Sequence, residues 1–526
     1  MHQKEKSQVL LQYGAAIVAS ITSAGYGSIM SWTSPALTYL KSDESEISIT
    51  KEQTLWIAPL LPIGLIIGNF LNPIFINRIG RKWTLMLFAL PQIISWLIIY
   101  CTKSHNAIYL ARIMGGIGYG GGVCAVTVYL SEIGTPKNRG IFLTMVKFSL
   151  SLGIFFTLLL GATLSYNYMN LGHLMMPIIF LCLFFFLPDS IYFLEKNKNT
   201  SYLLNDITDV NKKEESKLEN NDLKNSPTND NNLKENNHHE KETLLNDNKL
   251  ENNCQIILKQ ENSPQDDYLL KYHQNEDNNH QKEILKETKI FQKNSLIKKL
   301  KESLFWKMFS TSNNLMALTI IVCIVAQDSL SGHMTLTYFS EQMLSYNGSI
   351  LTAKQGALFL SVMKLISCII ATQLIERLKR RTLYFFTGIL ASLSQGMIGI
   401  FFLMEEQKID VSSFSFIPFL GLIVYEFCSS MGTSNLFYVL QGELFTNDIK
   451  GLAVTFAKNM YMVFGFISII MYQVIIEAFS AYVLFFIFCF CGIILCIVTV
   501  TLMPETKGKN IEEIQILLKK KILCCK

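Results

Sequence analysis

The chain has 526 residues, half of them apolar, with only 17% charged and a formal net charge of +5. So little charge, with a positive mean hydropathy, excludes a set of ordinary soluble domains and gives no sign of a nucleic-acid partner. The composition is that of a protein that lives in a lipid bilayer.

One helical crossing needs about 20 mostly apolar residues, and twelve such runs follow in chain order. The first six fall near 13–37, 54–76, 84–101, 107–130, 140–164 and 171–187. The second six fall near 312–341, 352–375, 382–404, 413–440, 452–476 and 479–503. The expected fold is therefore all-α, with an N-terminal six-helix bundle at 1–190, a cytoplasmic linker at 191–304, a C-terminal six-helix bundle at 305–503 and a tail at 504–526. The first run is long and continues through Gly27 to Pro35, unlike the short apolar core of a cleaved secretory signal.

Alternate loops are basic: Arg78, Arg81 and Lys82, then Lys137 and Arg139, then Arg377, Lys379, Arg380 and Arg381. The intervening loops at 41–52 and 405–410 are acidic or mixed. Because Lys and Arg are retained on the cytoplasmic side, both termini are expected inside. The sequon Asn347-Gly348-Ser349 then faces outward as a glycosylation candidate, whereas Asn199-Thr200-Ser201 faces inward and is expected to stay unmodified.

Between Lys196 and Lys301 the composition turns to Asn, Lys, Glu and Asp. Such a stretch cannot bury enough apolar surface to offset its ordering entropy, so disorder is expected, with short helices near Ile284–Leu304. His238 and His239 read as low-complexity bias, not a metal site. The twelve cysteines show no metal-ligand spacing; Cys524 and Cys525, beside Lys519–Lys521, are open to packing or to palmitoylation. Neither a metal nor another cofactor is expected. No nucleophile or paired carboxylates converge, so an enzyme is not expected.

The two sets of spans repeat their charged signals in order. NRIGRK (77–82), Glu132 followed by Arg139-Gly140, and Pro188-Asp189-Ser190 return as ERLKRR (376–381), Glu443 followed by Lys450-Gly451, and Pro504-Glu505-Thr506. Such an internal duplication describes a transporter whose halves are related by an axis along the membrane normal and hold substrate at the midplane. Opposite charges at helix ends on one face pair across adjacent helices, close that face, and are expected to part when the halves rock. The plainer reading, positive-inside topology with helix capping, would account for one set better than for two. GGIGYGGG (115–122) contains a formal G-x-G-x-x-G, but no strand precedes it; close helix packing through Gly118 and Gly122 is the better reading.

These residues resemble the sugar porter family of the major facilitator superfamily. The matches are R-x-G-R-K at Arg78–Lys82, Arg112 opening a Gly-rich fourth span, S-E-x6-R-G at Ser131–Gly140, PDSIYFLEK from Pro188 and PETKGKNIEEI at Pro504–Ile514. GSIMSWTSPAL (27–37) and WIAPLLPIGLIIG (56–68) look most like the insect facilitated trehalose transporter group. The resemblance implies carriage of a hexose or disaccharide, and assigns the gate to Arg78, Arg81, Arg112, Glu132, Arg139, Glu376, Arg380, Glu443 and Lys450.

Carrying the family's cavity positions over by spacing gives an unusual set. Lys147 stands where the family often has Gln in span five, and Lys364 where some members have Asn in span eight. The family's Gln-Gln-x-Ser-Gly-x-Asn falls on Asp328 to Met334, keeping Ser331 and Gly332 and placing Gln327 one position away. The span-ten Trp is Tyr438, Asn435 and Phe437 replace its prolines, and Asn459 lies two residues before the expected polar position in span eleven. Gln327, Ser331, Tyr438 and Asn459 are the expected sugar contacts, with Lys147, Asp328, His333 and Lys364 shaping the site. A charge within a membrane is costly, and three readings of the lysines stay open: a structural ion-pair network, direct substrate contact including an anionic group, or snorkelling to an interface.

Proton-coupled members generally carry an Asp in span one, whereas this chain has no acid between Gln8 and Ser42; Asp328 or His333 stays open as another proton site. The expectation is facilitated passage of trehalose or a hexose across the plasma membrane by a monomer embedded in lipid. The rivals are a carrier of small organic anions and a sugar sensor that does not transport.

Overall fold

The computed structural model describes residues 2–47, 49–133, 139–187, 189, 304–345 and 352–525. The expected linker and the sequon at Asn347 lie outside the described residues, as do the side chains of Arg139 and Glu376.

In the first half, α1 (His2–Ser31) and α2 (Thr33–Leu40) form the first span, and α3 (Lys51–Ile57) with α4 (Leu60–Arg78) the second. They are followed by α5 (Arg81–Cys101), α6 (His105–Ile133), α7 (Arg139–Thr163) and α8 (Tyr166–Phe184). In the second half, the short α9 (Leu304–Ser310) precedes α10 (Ser312–Leu330) and α11 (His333–Ser345), which together make the seventh span. Then come α12 (Ala353–Arg377), α13 (Arg380–Glu406), α14 (Ile417–Met431), α15 (Thr433–Glu443), α16 (Asn447–Ala478), α17 (Ala481–Leu502) and α18 (Ile511–Cys525).

Ten spans are continuous enough and apolar enough to cross a membrane among the described residues. The other two expected crossings differ for physical reasons. Helix α1 buries Ser20, Thr22, Ser23, Ser28 and Ser31, and the tenth span, divided at Gly432 into α14 and α15, buries Glu426, Ser429, Ser430, Thr433 and Ser434; in both, these polar residues lower the hydropathy.

The duplication reappears in the packing. In the first half α4 and α5 pack on α6, α1 on α7 and α5 on α8; in the second, α12 and α13 pack on α14, α10 on α16 and α13 on α17. The halves meet along α7 with α12, α4 with α16, and α2 with α11. Even the caps repeat, since Thr50 with Gln53 and Thr352 with Gln355 form reciprocal capping boxes at the starts of the second and eighth spans. Each box satisfies two backbone donors that a helix start leaves without partners.

Gly116 and Gly120 let α6 lie directly against α4: a Cβ on Gly116 would sit 2.6 Å from the Leu61 carbonyl oxygen. Gly118 does the same against α5, where a Cβ would lie 2.7 Å from Gln92 Cγ, and Gly122 approaches Thr22 on α1 and Gln92. The glycine run is thus a packing device on several faces of α6, as expected of small residues within a membrane.

Candidate functional site

Polar side chains bridge the two halves at three levels. On the face opposite the basic loops, Ser34 and Ser340 hydroxyls are 3.0 Å apart, Thr38 donates to Glu341 at 2.9 Å, and Gln342 donates to the Ser34 carbonyl at 2.9 Å. These bonds form a latch beside a vestibule of about 710 Å³ lined by Lys41, Lys51, Gln473 and Glu477 among others. At the middle of the seam, Lys147 Nζ donates to Ser434 at 2.6 Å and lies 5.4 Å from the Tyr438 ring centre. Nearer the basic face, Asn69 donates to Asn459 at 2.9 Å and Lys458 to Thr127 at 3.4 Å.

Two of the broken spans, the seventh and the tenth, border this seam. Span seven breaks at Ser331 and Gly332, whose φ of 96° suits glycine. The break gathers Asp328, which accepts from Thr433 at 3.2 Å and Ser429 at 3.5 Å, and His333, whose Nδ1 lies 3.7 Å from the Asp328 carboxylate. Span ten breaks at Gly432 without the prolines of the resembling family. Asn435 there donates to the Ser430 carbonyl at 2.6 Å, answering an acceptor that the interrupted helix frees.

Several expectations change. Lys147, Lys364 and Asp328 lie within electrostatic reach of one another without bonding directly: Lys364 pairs with Glu426 at 2.7 Å and donates to Thr337 at 3.2 Å. Both lysines end on buried partners, which excludes snorkelling. Gln327 is turned into the second half, where it accepts from Tyr384, and Ser331 is 3.1 Å from the Tyr425 hydroxyl; neither has a hydrogen-bond partner in the first half among the described residues. Tyr438 and Asn459 do face the seam.

Arg112 is also reassigned. It is fully buried and donates to the carbonyls of Ile29 and Ile57 at 2.7 and 3.0 Å and to Thr33 at 2.8 Å. Those carbonyls lie at the breaks between α1 and α2 and between α3 and α4, and a planar guanidinium fork answers several at once. Arg112 is 20 residues before Glu132 on one helix, about 30 Å away at 1.5 Å per residue, so it does not belong to the gate at the basic face.

At that face Arg81 grips Glu132 with two nitrogens, at 2.8 and 2.7 Å, and Arg380 lies 3.4 Å from Glu443. Asp189 accepts from the Lys82 backbone at 3.2 Å; Glu505 repeats this with Arg380 and Arg381 at 3.0 and 3.2 Å. Each of these pairs stays within one half, so rocking the halves apart need not break them, contrary to the expectation from sequence. Lys450 donates to the Gly442 carbonyl at 2.8 Å, and Arg78 is exposed.

Sequence reading missed Glu426, Glu341, Asn69 and Lys458. The signal existed for Glu426 and Lys458, each an ionisable residue inside an apolar run, which marks a functional position by default. For Asn69 no such signal exists, because an amide in a helix does not announce which neighbour it faces.

Two duplicated six-helix bundles meeting at a polar, latched seam define a membrane carrier of the major facilitator type. The profile of the sugar (and other) transporter family matches residues 15–253 and 255–518, and the chain belongs to that family. It is 23% identical over 513 residues to the facilitated trehalose transporter Tret1 of Apis mellifera ligustica, covering 96% of this chain and 88% of that one. Its identity to the Bombyx mori Tret1 is 23% over 508 residues, covering 96% and 86%. Among solved structures, the D-xylose–proton symporter superposes with a TM-score of 0.64 at 15% identity, covering 95% of this chain and 99% of the other. The inward-open E. coli xylose transporter XylE gives 0.64 at 16%, covering 96% and 99%. At these identities the solved structures establish the fold.

Proposed function

We propose that the chain carries a small neutral sugar, trehalose or a hexose, down its gradient across the plasma membrane by alternating access, with both termini cytoplasmic. The observation that carries this reading is the seam itself, where Lys147 and Tyr438 at its middle and Asn69 and Asn459 at the next level toward the basic face bring donors, acceptors and an aromatic face from both halves. Sugar hydroxyls need donors and acceptors together, and sugar ring faces stack on aromatics. The names of the insect relatives support the substrate class. The acid-free first span supports passage without proton coupling.

In this reading Tyr438, Asn459, Lys147 and Lys364 contact substrate, with Asp328 and His333 holding the break in span seven. The Arg81–Glu132 and Arg380–Glu443 pairs brace the basic face. Gln327 and Ser331 support the second half from within.

The test is uptake of labelled trehalose, glucose and a small carboxylate by cells expressing the chain, each at pH 5.5 and 7.5. Saturable sugar uptake that is the same at both pH values is expected. Carboxylate uptake without sugar uptake would overturn the substrate, and sugar uptake that rises steeply at pH 5.5 would overturn uncoupled passage.

A further inference from the structure

Glu426 and Lys364 form an ion pair in the middle of the second half, each almost completely buried. Taking two charges out of water costs several kcal/mol per ion, and their attraction repays it only where other hydrogen bonds satisfy the remaining sites. Here they are left incompletely satisfied. Lys364 has three donors and uses two, on Glu426 and Thr337; Glu426 Oε1 takes Lys364 and Ser430, at 2.7 and 3.2 Å, while Oε2 has no hydrogen-bond partner among the described residues.

The pair also lines a cavity of about 20 Å³ whose wall includes Ile154 and Leu158 of α7, from the opposite half, and the hydroxyl-bearing Thr337, Ser340 and Ser361. That is room for about one water, so a sugar enters only when α7 withdraws. A donor and an acceptor side by side, both with spare capacity, then face the opened space.

We propose that Glu426 and Lys364 together form a diol clamp that sets specificity: Glu426 accepts from one substrate hydroxyl and Lys364 donates to its neighbour. The clamp rests on the sugar reading above. It accounts for a charged pair in a carrier of uncharged substrate, because each charge keeps its partner while gaining a hydroxyl.

The experiment measures competition by mono-deoxy analogues, each lacking one hydroxyl, against labelled sugar uptake. With the unsubstituted chain, one analogue should compete at least tenfold less well than the parent sugar. In Glu426→Gln the same analogue should compete within twofold of the parent, while the other analogues keep their order. Glu426→Asp, which preserves the ion pair's charge, serves if Glu426→Gln does not reach the surface, and should narrow the same tenfold gap to about threefold. An analogue profile unchanged in either variant would overturn the clamp, as would full recovery of the profile in Lys364→Gln/Glu426→Gln, which would make the pair structural. No sugar uptake by the unsubstituted chain would instead remove the reading beneath it, and the clamp with it.

Discussion

Replacing Ser434 by alanine tests whether the contact from Lys147 holds the halves together. Lys147 belongs to α7 of the first half and is buried; its ammonium donates 2.6 Å to Ser434 of the second. Ser434→Ala removes the acceptor and leaves a buried charge with one partner fewer, which costs about 1–3 kcal/mol, and more for charged groups than for neutral ones. The loss is felt only where α7 and α15 touch, since Lys147 is hydrated once the halves part. A penalty of about 2 kcal/mol shifts the balance toward the opened arrangement roughly 30-fold, at about 1.4 kcal/mol per tenfold. Adding Lys147→Met removes the charge too, and replacing both partners by apolar groups is nearly neutral, so the double variant should return close to the starting balance. The reporter is Ser361→Cys, 3% exposed in the latched seam, labelled by a membrane-impermeant thiol reagent. Labelling should accelerate about 30-fold in Ser434→Ala and fall back in the double variant. Equal rates in all three proteins would refute the inference that this contact spans a moving interface.

Arg81→Gln leaves Glu132 without its two-pronged partner at a nearly buried site, so thermal unfolding in detergent should begin several degrees lower. Arg81→Gln/Glu132→Gln should recover part of that loss, and an unchanged melting temperature in the single variant would deny the pair a structural role. A Cβ at Gly27 would run into the Leu150 carbonyl of α7, whereas Gly14 has open space around it; Gly27→Val should therefore fail to reach the surface while Gly14→Ala is made normally, as read by surface biotinylation. On the exposed surface, Lys103 bonds Glu46 at 2.8 Å and holds its carboxyl below the ordinary value. That stabilisation is present above the unfolded carboxylate range and lost as pH falls through the lowered value. The small difference in melting temperature between the unsubstituted chain and Lys103→Met should thus vanish toward pH 3, and a gap that widens there would reverse the sign.

The repeat was legible because charge signals at helix ends are local. Glu132 with Arg139-Gly140 and Glu443 with Lys450-Gly451 stand at fixed offsets from the spans, and a bilayer forces apolar runs of nearly fixed length. Arg112 was misplaced for the converse reason: its position was plain, but its role depends on which helix breaks lie within reach. The breaks left carbonyls of Ile29 and Ile57 beside it, and nothing along the fourth span records that. Gln327 and Ser331 show the same limit, since a rotation of α10 decides whether they look into the seam or into their own bundle.

Composition, hydropathy and the repeated charge pattern thus determined the class of protein, the twelve spans and the paired basic loops, because each depends only on neighbours along the chain and on the thickness of the membrane. Only the tertiary structure decided that Lys364 pairs with Glu426, that Lys147 reaches across to Ser434, and that Arg81 pairs with Glu132 and Arg380 with Glu443. Those pairings join residues tens to hundreds of positions apart, and whether buried charges meet is set by the rotation and crossing of packed helices, which a hydrophobic pattern common to every face of a membrane helix does not encode.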